Sequence, residues 1–274
     1  MPWRLTSDVE LFATTTERFL RTDPVRHTVF LTLIATLRSR LFAYGQEPPY
    51  FGWWTSAAGE VDGVLLQTPP YPVLISGIPP EAVAPAAEAL AGRQLSGANL
   101  AAGDVDAFVA AYGPVTIEPG MRTRLYRLGE PVPPSPTPSG FARPATADDR
   151  VLVITWLRDF YAYVEEPRED VAGLVDDHLA HGGVTLWIDG GAPVSMSIRS
   201  RPESGMVRIL HVWTPPSLRR RGYAAGVTAE STRLASSEAA EVVLYTDLAN
   251  PTSNALYQRL GYRPVEDRAA VAFS

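Results

Sequence analysis

An apolar run, Ile209-Leu-His-Val-Trp-Thr214, stops at Pro215-Pro216, is followed by three consecutive arginines, and opens into small residues at Gly222. That order reads as strand, basic glycine turn, helix, and it fixes more about this chain than any other stretch. The first turn of a helix has N–H groups without intrahelical partners and carries the positive end of the peptide dipoles, so such a turn cradles an anion. Gly222 lets the backbone approach without a Cβ, Ala224 keeps the next turn small, and Arg219, Arg220 and Arg221 add charge and paired donors.

A second feature lies downstream. Residues 241–248 read as a buried strand, and Asn250-Pro251 then opens a helix that Gly261 closes. Asn250, Asn254 and Tyr257 fall at i, i+4 and i+7, on one face of that helix. The motif Arg219-x-x-Gly222-x-Ala224 followed by the Asn250 to Tyr257 block resembles the two signatures of the GNAT superfamily of acyl-CoA-dependent N-acetyltransferases, in the same order. The resemblance is specific over residues 143–274 and faint before that. It implies an α/β fold of the α+β kind, a mixed, mostly antiparallel sheet flanked by helices, with acetyl-CoA as co-substrate and no metal. It further implies that backbone groups of Val212, Trp213 and Thr214 meet the pantetheine arm and the thioester carbonyl. Arg219, Arg220, Arg221, Gly222, Tyr223 and Ala224 would hold the pyrophosphate, with solvated surface the other reading of Arg220 and Arg221; Asn250 would touch the coenzyme, Asn254 would touch it or serve helix packing and a local hydrogen bond, and Tyr257 would protonate the sulfur.

Bulk properties narrow the class further. A length of 274 residues suggests two domains, and a net charge of −6 gives no electrostatic case for nucleic acid or an anionic membrane. Cysteine is absent, which excludes a disulfide, a thiolate metal site and a cysteine-bound acyl intermediate. All 24 basic residues are arginine, so the N-terminus is the one amine the chain could acetylate on itself. With neither a basic leader nor an apolar run near ~18 residues, a cytoplasmic protein without membrane contact is expected.

The clearest boundary is the proline-rich stretch 130–140, read as a semi-rigid linker outside any core. It separates an N-terminal domain, 1–129, from a catalytic domain, 141–274. In the first, Ser7 to Glu10 fits a capping box before a helix over 8–21, and Asp23-Pro24 starts a second helix. A hairpin over 51–66, a strand over 73–76, helices over 81–91 and 105–112, and a closing strand over 121–128 follow. The second half reads as a strand at 141–145, a box at Thr146 before a helix carrying Val151, Ile154, Leu157, Phe160 and Tyr161, and a helix opened by Pro167. A hairpin across Asp189-Gly190-Gly191 leads to the basic turn, and 269–273 closes the sheet. The spacing Trp54-x6-Val61-x7-Pro69 recurs as Trp187-x6-Val194-x7-Pro202, which points to tandem GNAT-like modules. The first half has no Arg-x-x-Gly turn, so any phosphate site there has been lost.

Acetyl transfer to an amine needs the amine uncharged, the carbonyl polarised and the leaving thiolate protonated. Tyrosine suits the last role, since its ordinary pKa is close to that of an alkyl thiol; a core tyrosine with its hydroxyl tied off is the other reading of Tyr257. The central strand, 206–214, carries no carboxylate, which leaves His211 as the candidate base or as a buried structural histidine. Glu165 and Glu166 could attract a cationic amine, or form a solvated charge run. His178-x-x-His181 is too short for a metal site by itself. The expected activity is transfer to a primary amine in a ternary complex, on a small molecule or on a peptide N-terminus or lysine. The N-terminal half would shape the acceptor site or a homodimer contact. A non-catalytic acyl-CoA sensor or scaffold is the alternative.

Overall fold

The computed structural model describes residues 3–39, 47–114, 116–165 and 170–273. The chain forms two compact units: residues 1–125, 247–249 and 265–274 make unit 1, and residues 126–246 and 250–264 make unit 2.

In unit 1 the order is β1 (Arg4–Thr6), α1 (Val9–Leu20), α2 (Thr28–Ser39), β2 (Tyr50–Thr55), β3 (Val61–Gln67), β4 (Val73–Ser76), α3 (Pro80–Ala89), β5 (Gly97–Ala101), α4 (Val105–Tyr112) and most of β6 (Ile117–Leu128). β1 to β4 pair antiparallel in sequence order, and β4 pairs parallel with β5. Alternation along β2 sends its aromatic side chains to both faces. Phe51 stacks on Phe12 of α1 with ring centroids 4.9 Å apart, while Tyr50 and Trp54 join the cluster that α3 and α4 cover, with Leu65, Ile75, Ala86 and Phe108. Each fully buried large apolar side chain of this kind contributes about 1.5–3 kcal/mol.

Unit 2 repeats that order: β7 (Phe141–Pro144), α5 (Arg150–Tyr163), α6 (Val171–Ala180), β8 (Val184–Asp189), β9 (Ala192–Arg199), β10 (Met206–Trp213), α7 (Tyr223–Glu238), β11 (Glu241–Asp247), α8 (Pro251–Arg259) and the start of β12 (Tyr262–Phe273). β7 to β10 pair antiparallel in sequence order, and β10 pairs parallel with β11. Inward residues of β8 and β9, among them Leu186, Ile188, Met196 and Ile198, pack under α5 and α6. On the other face Trp187 and Val194 meet Tyr223 and Val227 of α7.

Several expectations need correction. The first helix is capped by Asp8, whose carboxylate accepts from the backbone of Glu10 and Leu11, not by a box at Ser7. Asp23 closes only a turn, accepting from Arg26 N, and the second helix waits until Thr28. Val151 lies on the solvent side of α5, 73% exposed, because the buried stripe runs through Val153, Ile154, Trp156, Leu157 and Tyr161. The helix opening at Pro167 falls outside the described residues; α6 starts at Val171, capped by Asp170. Residues 269–273 do not close the second module: β12 pairs antiparallel with β5, Ala269 opposite Leu100, inside unit 1. The proline-rich stretch belongs to unit 2 and does enter a core, since Pro138 is buried. It lies where a Cβ on Gly226 would come within 2.8 Å of its Cγ, and Trp187 Nε1 donates to Ser139 O at 2.8 Å.

Candidate functional site

Unit 2 gathers its chemistry where β10 and β11 separate. Their parallel register runs from Met206↔Glu241 to Ile209↔Leu244 and then stops, although β10 continues to Trp213 and β11 to Asp247. A register shift against β9 between Ile209 and His211 turns the strand at that point. Beyond it, Ser195 Oγ donates to Trp213 O at 3.0 Å and Arg219 Nε donates to Thr214 O at 3.0 Å, so both carbonyls at the strand end already accept bonds.

The turn that follows is built for close approach. Pro216–Leu218 form one 3-10 turn, Arg219 is extended, and Arg220 and Gly222 sit at φ 64° and 83°. Left-handed conformation at a non-glycine residue costs about 1–2 kcal/mol and is kept where the surroundings impose it. Gly222 is the N-cap of α7 and brings no capping side chain. The first helical bond is Gly226 N to Gly222 O, which leaves the N–H groups of Tyr223, Ala224 and Ala225 without intrahelical acceptors. Arg220 and Arg221 are exposed beside them. The space a Cβ on Gly222 would take faces Pro138 at 3.3 Å, so this glycine serves the turn's conformation and the proline contact. The Tyr223 side chain is buried and donates to Asp189 Oδ2, which also accepts from Ser139 at 2.9 Å; it anchors the turn, and only its backbone is available to an anion.

α8 contributes from the other strand. Asn250 caps it, accepting from Ser253 N at 3.0 Å, and Asn254 bonds Tyr126 Oη at 3.0 Å and Asn250 O at 2.8 Å. Both asparagines thus hold local structure. Tyr257 packs with Ile209 and Leu244, the last pair before the strands part, and with Tyr262. Burial pushes its hydroxyl up to about 12.

The last turn of α5 covers the other side of β10. Tyr161 Oη lies 3.1 Å from His211 Nε2, and Phe160 meets the His211 ring edge-on at 5.1 Å between centroids. The Arg219 guanidinium lies over Tyr163 and Trp213, 4.8 and 5.0 Å from their centroids. The apolar stripe of the sequence places Phe160 and Tyr161 in the core alone; the run Phe160-Tyr161-Ala-Tyr163 is the signal that this turn also faces the strand end. Glu165 follows, exposed, at φ 57°. Glu166 lies outside the described residues.

Away from this site, Asp177, His178 and His181 bring one potential ligand atom each within 4.8 Å of one another. Asp177 Oδ1 already accepts from Arg201 at 2.7 Å, and the two ring nitrogens of His181 face the carbonyls of Asp177 and Arg199 at 2.8 and 3.2 Å. Burial lowers His178 to about 4, so its ring is neutral at pH 7. Two of the three donors are committed within the fold, an arrangement unlike an open metal site.

Residues 198–271 match the family described as FR47-like protein. Among solved structures, a Drosophila protein superposes with a TM-score of 0.66 at 17% identity over 99% of this chain and 98% of its own. An acetyltransferase of the GNAT family from Colwellia psychrerythraea gives 0.60 at 10% identity over 100% and 99%. A GCN5-related N-acetyltransferase from Sphaerobacter thermophilus gives 0.58 at 14% over 84% and 82%. At these identities the likeness is one of fold. No curated protein matches the chain. Among the described residues no helix is long and apolar enough to cross a membrane.

Proposed function

We propose, from the premise that this chain carries the GNAT fold, that unit 2 is an acyl-CoA-dependent N-acetyltransferase acting on a primary amine by direct transfer in a ternary complex. One observation carries the reading: β10 leaves β11 just before the uncapped, arginine-flanked start of α7. Bound there, acetyl-CoA supplies an activated acyl carbon, to which the amine nitrogen bonds as the carbon–sulfur bond breaks. The N–H groups of Tyr223, Ala224 and Ala225, with Arg220 and Arg221, hold the diphosphate. Arg219, tied to Thr214 O and stacked on Tyr163 and Trp213, fixes the turn against the strand end. Asn250 and Asn254 act by shaping α8.

Three residues move protons. Tyr257 stays protonated at neutral pH and donates to the departing sulfur; at about 12 it is a weaker acid than a free phenol, so donation depends on the thiolate being equally desolvated beside it. His211 Nε2 takes a proton from the Tyr161 hydroxyl, 3.1 Å away, as that oxygen takes the one released by the amine. Glu165 and Glu166, just past α5, draw a cationic acceptor, which is a small amine or a peptide amine. The protein is taken to work in the cytoplasm, and its two units to be tandem modules, with a homodimer as the expected assembly. Their shared element order supports an internal duplication.

A second reading, an acyl-CoA-binding sensor without turnover, is favoured by the lack of any carboxylate on β10. Thiol release from acetyl-CoA, measured with small amines and peptides side by side, separates the two. Saturable coenzyme binding with no release above hydrolysis for every amine leaves only the sensor. Tyr257→Phe is expected to lower kcat at least about tenfold while coenzyme affinity stays within about twofold. Unchanged kcat removes Tyr257 from the reaction.

A further inference from the structure

Unit 1 follows the plan of unit 2 as far as its parallel strand pair and then departs from it twice. β4 and β5 pair at Val73↔Ala98 and Leu74↔Asn99, and the register goes no further, although the strands run on to Ser76 and Ala101. At the next step a side chain takes over. Arg268, on β12 and 7% exposed, places Nη2 between the two strands, donating to Ile75 O at 2.8 Å and Asn99 O at 2.9 Å. Its Nε donates to Asn99 Oδ1 at 2.9 Å and its Nη1 to Glu266 Oε2 at 3.0 Å. A buried cation is tolerated only when paired and hydrogen-bonded, and here a planar fork meets three oxygens of the strand pair and one carboxylate.

The second departure is at the helix that follows. α3 has Pro79 as its N-cap and Pro80 as its first residue, so two backbone donors are absent from its start. The Ala82 N–H donates to Pro79 O at 2.9 Å, and the preceding Gly77-Ile78 brings no basic residue. Of the first three helical positions only Glu81 keeps an N–H to offer, beside its own negative charge. The corresponding turn of α7 offers three, flanked by arginines.

We infer that unit 1 is closed to acyl-CoA, because Arg268 acts as a tethered guanidinium ligand in the slot where β4 and β5 part and α3 has lost the donors for a diphosphate. Any coenzyme site of the described residues therefore lies outside unit 1, and the last strand has the use of holding the empty module shut. This goes beyond the assignment of unit 2 and does not depend on it.

Two measurements on the full chain test it. Calorimetric titration with coenzyme A should give one equivalent for the native chain and none for Arg221→Glu/Gly222→Val, which disables the turn before α7. Two equivalents, or saturable binding that survives in the double variant, overturns the closure. No binding to either chain counts against the assignment of unit 2 and for the closure of unit 1. In the second measurement Arg268→Ala should melt lower than the native chain, and about 20 mM guanidinium chloride should raise its Tm by roughly 3–4 °C over equal NaCl, with no such rise in the native chain. If Arg268→Ala is recovered unfolded, the readout becomes its yield on refolding with guanidinium against NaCl. Equal response to the two salts overturns the slot.

Discussion

The Tyr161 hydroxyl stands 3.1 Å from Nε2 of His211, tying the last turn of α5 to the end of β10. With Tyr161 as donor, this bond takes up the one lone pair of a neutral His211 ring, so in the proposed transfer the proton of the amine reaches the ring through that hydroxyl. Tyr161→Phe should therefore lower kcat by about tenfold or more while coenzyme affinity stays within about twofold. The loss of stability should be about 1 kcal/mol, one hydrogen bond's worth. A purely structural tyrosine would show the stability loss with an unchanged kcat.

Arg220 and Gly222 are both left-handed, but only one of them is glycine. Arg220→Gly removes about 1–2 kcal/mol of backbone strain and adds about 0.5–1 kcal/mol of unfolded-state entropy cost, so the Tm should hold or rise slightly. Coenzyme affinity should fall several-fold with the lost charge. Gly222→Val pays the strain instead and presses on Pro138, so thermal melts should show a loss of at least about 1–2 kcal/mol. A Gly222 variant as stable as the native chain would contradict the turn described above.

Gly226 lies inside α7, where alanine ordinarily gains about 1 kcal/mol. Here the added Cβ would stand 2.8 Å from Pro138 Cγ and 2.9 Å from two ring atoms of Trp187. Gly226→Ala should therefore be destabilising, by about 1–3 kcal/mol in denaturant melts, because neither ring has room to yield. A stabilised variant would mean that the proline-rich stretch does not pack on α7.

Asp149 accepts from Arg143 at 2.7 and 2.8 Å and from Thr146 N at 2.8 Å, and these bonds, Arg143 foremost, hold its carboxyl down at about 2 against an ordinary 3.8. A depressed carboxyl adds stability above its unfolded pKa that is lost as the pH falls from about 4 to 2. Asp149→Asn should cost roughly 2 kcal/mol at pH 7, and the two chains should converge near pH 2. A gap that persists at pH 2 would assign the loss to packing.

Local chemistry wrote most of the elements into the sequence. The hairpin turn at Gly190-Gly191, the Asn250 cap with Pro251 behind it and the glycine at position 222 each depend on backbone preferences within a few residues, and each stands where the spacing put it. The basic turn after β10 was legible for the same reason. Partner choice was not legible, because it is decided between residues far apart in the chain. Gly97-Ala-Asn-Leu-Ala101 has little strand preference of its own, and β12 becomes its neighbour only in the folded unit. Pro138 is buried because Gly226 and Trp187 leave it a place, Tyr161 meets His211 across 50 residues, and Arg268 reaches Ile75 across 193. The sequence by itself determined most of the helices, turns and strands and the basic turn that follows β10. Only the tertiary structure decided which edges meet and which slot a side chain fills, since the free energy of those contacts arises from desolvation and close packing that no local window contains.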